Sequence, residues 1–275
     1  MNHKPLVSVI VTTFNRKILL KETINSILRQ TFKDFELIVV DNYSSYDFFN
    51  IINSFNDSRI LPFQNKNNGI IAVNRNYGIK KAKGEYIAFC DDDDLWLPNK
   101  LEKQINKIHK TEDGMVYTMQ KYFGKTSIFT NNYGINPLPF KQNTSTNGLF
   151  KVNCIPSSSV MLKKDLLEQI GCFDERKSFI AIEDYDLWIR ASKATCIRYI
   201  PNVLTLHRVH NLSVYENSNT IDQGEKDLYN KYGLKYKKSS FYNFKRKKLY
   251  FFLRNVFLLI IENLFYKTNI SRLYT

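Results

Sequence analysis

Only four cysteines occur in the 275 residues, Cys90, Cys154, Cys172 and Cys196, and no two of them form a CxxC pair. A disulfide framework or a structural zinc site is therefore not expected, and a reducing cytosol is the simple reading. No GxGxxG follows the first strand-like run, which argues against a dinucleotide-binding domain, and neither GxxxxGKS nor GxxxxGKT appears, which excludes a P-loop. No internal repeat is visible. Met1-Asn2-His3-Lys4-Pro5 leads straight into an apolar run, so no signal peptide is expected. The most apolar stretch, 249–266, is broken by Arg254, Asn255, Glu262 and Asn263. Its unbroken pieces fall far short of the roughly 20 residues that span a bilayer. Acidic residues are scarce relative to basic ones, 26 against 40, for a net charge of +14. The excess is uneven: from Glu225 onward there are 12 Lys/Arg and three acids, a net of +9, which leaves +5 for residues 1–224. Whatever the basic charge implies about partners applies mainly to the tail.

What the chain does have is 43% hydrophobic and 14% aromatic residues, enough for one large domain, or one domain with an appendage. The segment that organises it is 84–96. There a short apolar run, Tyr86 to Cys90, stops at four consecutive carboxylates, Asp91, Asp92, Asp93 and Asp94. The run suits a strand buried on both faces. Adjacent carboxylates repel one another, so a fold that gathers them at a strand end calls for a cation there. Oxygen ligands suit Mg²⁺ or Mn²⁺. The competing reading is a solvated acidic turn that caps the following helix.

Taken in order, 6–12 reads as a buried first strand that breaks at Thr13-Phe14-Asn15-Arg16. Leu20, Ile24, Ile27 and Leu28 then recur at helical spacing. Residues 36–40 form a second strand ending in Asp41, a short helix surrounds Ile51 and Ile52, and 59–63 form a third strand. A helix bearing Ile71, Asn74, Arg75 and Gly78 follows and is ended by Gly84. After the tetrad come a helix over 98–110, a strand over 115–120, a long loop region over 121–153, a strand over 156–162 and a helix over 164–170. A helix opens at 182–188 with a second acidic cluster, and a strand over 196–206 leads to His207-Arg208-Val209-His210. Alternating strands and helices with short connections imply a mainly parallel sheet with helices on its faces. Ligands of such sheets bind at the carboxyl ends of the strands, here Thr13 to Arg16, Asp41 and the tetrad.

Several segments together resemble the family 2 glycosyltransferases of GT-A fold. These are Val7-Ser8-Val9-Ile10-Val11-Thr12-Thr13-Phe14-Asn15-Arg16, Val39-Val40-Asp41-Asn42, Asn74-Arg75-Asn76-Tyr77-Gly78, residues 84–96, Gly171-Cys172-Phe173-Asp174-Glu175 and Glu183-Asp184-Tyr185-Asp186-Leu187-Trp188. They span roughly 5–215 in the family's order. The family more often has Pro where Thr12 stands and Tyr where Phe14 stands. The resemblance implies that Thr13, Phe14, Asn15 and Arg16 line the nucleotide pocket, with Asp41 accepting from the base and Arg75 near base or phosphate. It implies that Asp92 meets the ribose and Asp93 holds Mn²⁺ or Mg²⁺; the spacing fits Asp91, Asp92 and Asp93 in two registers, so Asp91 belongs to the same donor set. It further implies Asp184 as catalytic base, Glu183 and Trp188 near the acceptor, and His210 facing phosphates or metal.

The chemistry asks for these types. Expelling a nucleoside diphosphate builds charge that a divalent ion neutralises, and the attacking hydroxyl must lose a proton to a placed carboxylate or histidine. One base on the face opposite the leaving group gives inversion. Each residue also has a plainer reading. Asp41 fits a turn former, Asp184 a first-turn acid worth a few tenths of a kcal/mol, and Trp188 a core residue; the histidines fit local hydrogen bonding and Arg16 and Arg75 solvated side chains.

The expected division is a catalytic domain over 1–215 and a basic, amphipathic helical extension over 216–275. Lys245-Arg246-Lys247-Lys248 precedes the apolar stretch, and Lys248, Asn255, Glu262 and Asn269 mark one narrow polar stripe. That pattern suits an interfacial helix on anionic lipid, with packing on the catalytic domain or on a second copy of the chain as the alternative. No nucleic-acid-binding module accompanies it. The function expected is transfer of a sugar from a nucleotide-sugar, a UDP-sugar by preference, to a glycan or lipid-linked acceptor. The expected setting is surface polysaccharide assembly, in the cytoplasm at the inner face of the membrane. The alternatives are a non-catalytic nucleotide-binding or membrane-surface scaffold, and a sugar nucleotidyltransferase, which would want a Gly-rich basic loop where Thr13 to Arg16 stand.

Overall fold

The computed structural model describes residues 4–124, 146–150, 153–209 and 218–236. Its first half alternates as the sequence predicts: β1 (Val7–Thr13), α1 (Lys17–Leu28), β2 (Phe35–Asp41), α2 (Phe48–Asn53), β3 (Ile60–Gln64), α3 (Ile71–Lys81) and β4 (Tyr86–Asp91). Then come β5 (Leu95–Trp96), α4 (Lys100–Thr111), β6 (Met115–Gly124), α5 (Thr146–Leu149), β7 (Val160–Lys163), α6 (Lys164–Ile170), α7 (Glu183–Ala194), β8 (Ile197–Val209) and α8 (Ser218–Lys231).

All eight strands join one sheet in the order β3-β2-β1-β4-β7-β6-β8-β5. β3, β2, β1 and β4 are parallel neighbours, and β6 and β8 pair in parallel as well. β7 slots between β4 and β6 antiparallel to both, and β5 runs antiparallel to β8. The sheet is thus mainly parallel with two reversed strands. Neither reversal is visible in the sequence, because periodicity gives a strand's faces but not its direction.

Side chains alternate between two cores, one on each face. Val9, Val11, Leu37 and Val39 pack with Leu20, Ile24 and Ile27 of α1 and with Leu101, Ile105 and Ile108 of α4. Ile10, Ile38, Ile87 and Phe89 face Ala72 and Ile79 of α3 and Leu187, Trp188 and Ala191 of α7. Strands buried on both faces read as unbroken apolar runs, which is why β1, β2 and β4 are legible from sequence. Ile221 and Leu228 of α8 join the second of these cores, so residues 218–236 pack on the catalytic body rather than standing apart from it. The basic and apolar stretch 237–275 lies outside the described residues. Among the described residues no helix is long and apolar enough to cross a membrane.

Three local expectations change. Residues 121–124 continue β6 and 146–149 form a helical turn, while the remainder of the expected loop, except Phe150 and Asn153, lies outside the described residues. Gly84 is not a helix cap: α3 ends at Lys81 with Ala82 extended, and a Cβ on Gly84 would stand 2.5 Å from the Ser8 amide nitrogen. What Gly84 permits is close approach. Its N–H donates to Ser8 Oγ at 2.8 Å, Ser8 Oγ donates to Glu36 Oε1 at 2.6 Å, and the Lys83 N–H donates to the same Glu36 oxygen at 2.6 Å. Asp94 does not cap α4 either, since that helix starts five residues after β5 opens, with Asn99 at its N-cap position.

Candidate functional site

The parallel register brings the carboxyl ends of β1, β2 and β4 level, with Thr13 beside Asp41 and Thr12 beside Asp91. Residues expected at the site therefore lie side by side at the carboxyl ends of these strands. Asp41 is fully buried and accepts from the Ser44 N–H at 3.0 Å, from Ser44 Oγ, and from Gln64 Nε2 at 3.0 Å. Thr13 Oγ1 donates to Asp92 Oδ2 at 2.7 Å. One Arg16 nitrogen, Nη1, reaches Asp92 Oδ1 at 2.9 Å and Asp93 Oδ2 at 2.7 Å. Asn15 stands in the left-handed region at φ 55°, and its Oδ1 accepts from the Ser45 N–H at 2.7 Å. Its own N–H donates to Ser44 Oγ at 2.8 Å, lacing the loops after β1 and β2 together. Phe14 projects from this lacing, 52% exposed.

The tetrad divides by partner. Asp91 pairs with Arg75 Nη2 at 2.8 Å, and its N–H donates to Ser158 Oγ at 3.0 Å. Asp92 and Asp93 share Arg16. Asp94 is an anchor: it is buried, contacts His207 Nδ1 at 3.0 Å, accepts from the Arg208 N–H at 3.0 Å, and its carbonyl accepts from Thr23 Oγ1 at 2.8 Å. Arg208 Nε adds a bond to the Asp93 carbonyl at 2.9 Å, and its guanidinium pairs with Glu22 of α1. Burial pulls the His207 imidazole down, but Asp94 against it, with Asp91 and Asp93 nearby, outweighs this and raises it to about 9. His210 lies outside the described residues.

Arg75, itself buried, joins this cluster to the second one. Its Nη1 meets Glu183 Oε1 at 2.6 Å, and its guanidinium lies over the Phe173 ring, 5.3 Å from the centroid. Burial opposes the Arg75 charge, but Asp91, Glu183 and Asp184 outweigh it and hold the group protonated. Asp184 opens α7, where Oδ1 accepts from the Tyr185 N–H at 2.6 Å and from Asn153 Nδ2 at 3.3 Å. No cation contacts its carboxylate among the described residues. Burial first, and Glu183 second, push Asp184 up to about 7, with Arg75 opposing. Asp92 rises to about 6, mainly from burial and partly offset by Arg16 and Thr13.

Trp188 does not reach the site. Its ring is fully buried, Nε1 donates to the Ile155 carbonyl at 3.1 Å, and it packs edge-on against Phe173. Four residues after Asp184 on α7, it shares that residue's helix face but stands one turn further on, closed in by Phe173 and the Ile155 carbonyl, so no surface is left for an acceptor. Glu183 does reach the site, and its Oε2 is buried without a partner among the described residues. Other motif residues turn out to build rather than line the site. Asn76 Nδ2 donates to the Phe173 carbonyl at 2.9 Å while its Oδ1 accepts from the Phe173 N–H at 3.0 Å, pinning 173–175 to α3. Arg190 gathers the carbonyls of Ile170, Gly171 and Cys172 and pairs with Asp186.

Sequence reasoning missed Lys100. It is fully buried, its Nζ donates to Gln104 Oε1 at 2.6 Å and lies 3.8 Å from the centroid of Trp96, and burial lowers it to about 7. Its only signal is position, as the first residue of the amphipathic helix α4, six residues past Asp94.

The donor set suits a shared cation. Among the described residues no group of three or more His, Cys, Asp or Glu forms a ready cage. Mg²⁺ and Mn²⁺, however, take one or two protein carboxylates and complete their shell from substrate phosphates. Asp92 and Asp93 present that pair of oxygens, and the Arg16 guanidinium spans them as a cation would.

Comparison with known proteins agrees with this geometry. The family model Glycosyl transferase family 2 matches residues 8–171. The chain is 35% identical over 223 residues to the UDP-Glc:alpha-D-GlcNAc-diphosphoundecaprenol beta-1,3-glucosyltransferase WfaP of Escherichia coli, covering 77% of this chain and 80% of that one. It is 33% identical over 213 residues to an uncharacterized glycosyltransferase of Rickettsia typhi, covering 76% of this chain but only 65% of the relative. The structure of the mannosyltransferase PcManGT from Pyrobaculum calidifontis, in complex with GDP-Man and Mn²⁺, superposes with a TM-score of 0.62 at 18% identity, covering 86% of this chain and 66% of that one. Its fold is therefore GT-A, and the chain belongs to glycosyltransferase family 2.

Proposed function

We propose that this chain transfers a sugar from a UDP-sugar to a hydroxyl of a lipid-linked glycan, with a divalent metal and with inversion at the anomeric carbon. The observation that carries this reading is the division of carboxylates. Asp92 and Asp93 share one guanidinium, whereas Asp184, across Arg75 from them, has no cation in contact and is raised to about 7. A pair of carboxylates held by a displaceable cation suits a diphosphate site, and a carboxylate poised near neutrality suits a base.

In this mechanism Thr13, Phe14, Asn15 and Arg16 line the nucleotide, Asp41 takes a base N–H, and Asp91 and Asp92 complete the donor site. Asp93 and Asp92 would hold the metal, with His210 as a further ligand; the metal's contribution is to neutralise the departing diphosphate. Arg16 then moves from the carboxylates to the phosphates. Asp184 takes the acceptor hydroxyl proton as that oxygen bonds to the anomeric carbon and the carbon–phosphate oxygen bond breaks. On the acceptor side Glu183, paired with Arg75, supplies the charge beside Asp184. Arg75 fixes Glu183 and tempers the charge around Asp184. A uridine nucleotide and a diphosphate-linked lipid acceptor follow the relation to WfaP; the more distant PcManGT, with GDP-Man, supports the metal but not the base. A lipid-linked acceptor suits an enzyme at the cytoplasmic face of the membrane, and the basic and apolar sequence of 237–275 suits contact with that surface.

The test is transfer of radiolabelled glucose, galactose or their N-acetyl derivatives from UDP to an N-acetylglucosaminyl-diphospho-polyprenol in detergent. A β-linked product from an α-configured donor supports the reading. Retention of configuration, or absence of transfer from every UDP-sugar, overturns it.

A further inference from the structure

Tyr43 carries an inference that the family motifs do not. It stands in the left-handed region at φ 57°, where a bulky side chain is a genuine outlier that glycine would occupy without cost. The residue is 59% exposed and its side chain makes no hydrogen bond or ring contact among the described residues, so packing does not compensate for the strain. Both neighbours are pinned. The Asn42 N–H donates to the Thr13 carbonyl at 3.0 Å and Asn42 Oδ1 accepts from the Asn67 N–H at 2.9 Å, while Ser44 is tied to Asp41 and to Asn15. The strained conformation is thereby imposed by the same network that buries Asp41 and displays Phe14. Phe14 and Tyr43 are thus two large exposed aromatics on the loops that follow adjacent strands, β1 and β2, one residue past Thr13 and two past the buried Asp41. Strain held by its surroundings at such a place marks function.

We propose that Tyr43 supplies a second aromatic surface, beside that of Phe14, for the heterocyclic base of the nucleotide donor. The proposal rests on the donor-site reading given above. A base has a π-face that stacks on a ring whatever its hydrogen-bond edge, so Tyr43 contributes affinity for the nucleoside while Asp41 selects the base. Phosphates lie on the Asp92 and Asp93 side and gain nothing from it.

The test is calorimetric titration of UDP, and separately of inorganic pyrophosphate, into the full chain with Mn²⁺ present. The proteins compared are the wild type, Tyr43→Gly and Tyr43→Phe. Tyr43→Gly is expected to weaken UDP about tenfold, to leave pyrophosphate unchanged, and to melt no lower than wild type because strain is relieved. Tyr43→Phe keeps UDP within about twofold, since the stacking face survives. A wild type that prefers UDP to pyrophosphate, with Tyr43→Gly binding UDP equally well, overturns this proposal and leaves the donor site standing; the ring then serves another contact. Parallel loss of both ligands in Tyr43→Gly overturns it too, as general damage to the loop. A wild type that takes UDP no better than pyrophosphate overturns the donor-site reading itself, and this proposal with it.

Discussion

The carboxylates over 91–94 and those over 183–186 are both largely buried and both touch Arg75, yet they are compensated in different ways. Every aspartate of the first cluster has a cation in contact: Arg75 for Asp91, Arg16 for Asp92 and Asp93, and His207 for Asp94. In the second, Glu183 has Arg75, and Asp186 has Arg190 and Lys231 with the Tyr232 hydroxyl, but among the described residues Asp184 has only a backbone N–H and an amide. Burying an unpaired carboxylate costs several kcal/mol in its ionised form, so the group keeps its proton to higher pH. On the proposed mechanism, charge is neutralised where charge would bind, and one carboxylate is left without a cation among the described residues where a proton would be taken. That contrast tells us more than either cluster alone.

The contrast breaks most completely at Asp184. Asp184→Asn should lower turnover by about 10²–10⁴ while UDP affinity stays unchanged, measured by initial rates and calorimetry on the same preparation. Arg75→Met attacks both clusters together. Removing a buried cation that serves Asp91 and Glu183 should cost about 3–5 kcal/mol of stability, read from urea denaturation with donor binding measured below the transition. A third approach is pH. With Asp184 raised to about 7, turnover at saturating donor should climb roughly tenfold per pH unit below 7 and level off above it. The stability contribution has the opposite sense. Between the ordinary aspartate range and about 7 the native carboxyl holds a proton that the unfolded chain has released, so this group's contribution falls as pH rises through that window. Asp184→Asn should flatten both dependences. The smallest effect concerns Trp188. Trp188→Phe should lose about 1–3 kcal/mol of stability, from the orphaned Ile155 carbonyl and lost ring volume, without raising the acceptor KM. A raised KM at unchanged stability would move Trp188 back to the acceptor site.

How much of this was legible in the sequence follows from what each signal encodes. β1, β2 and β4 announced themselves because strands buried on both faces are continuous apolar runs, and each breaks at a polar residue that the parallel register then brings level. The tetrad was legible as a charge problem, but not its solution. One guanidinium for Asp92 and Asp93, and Asp94 as an anchor to β8 more than a hundred residues away, depend on tertiary contacts that spacing does not contain. The burial of Trp188 is not legible because the i, i+4 spacing from Asp184 gives a shared face of α7 and not the depth of what packs over each turn. That Ile221 and Leu228 of the extension pack into the core with α3 and α7 is not legible either, because composition does not report what an amphipathic face packs on. Lys100 is not legible because a lysine on an amphipathic helix reads as solvated, whereas the fold brings Nζ over Trp96. The Gly84 and Tyr43 positions make the same point for the backbone: close approach and a left-handed residue are set by neighbours far along the chain.

The measurement that tests the division of labour most directly is titration of UDP into wild type, Asp93→Ala and Asp184→Asn, each with and without Mn²⁺. The account predicts that Mn²⁺ strengthens UDP binding to the wild type and to Asp184→Asn alike, and that Asp93→Ala loses the Mn²⁺-dependent part. Binding indifferent to Mn²⁺ and to Asp93→Ala, or lost in Asp184→Asn, would contradict it.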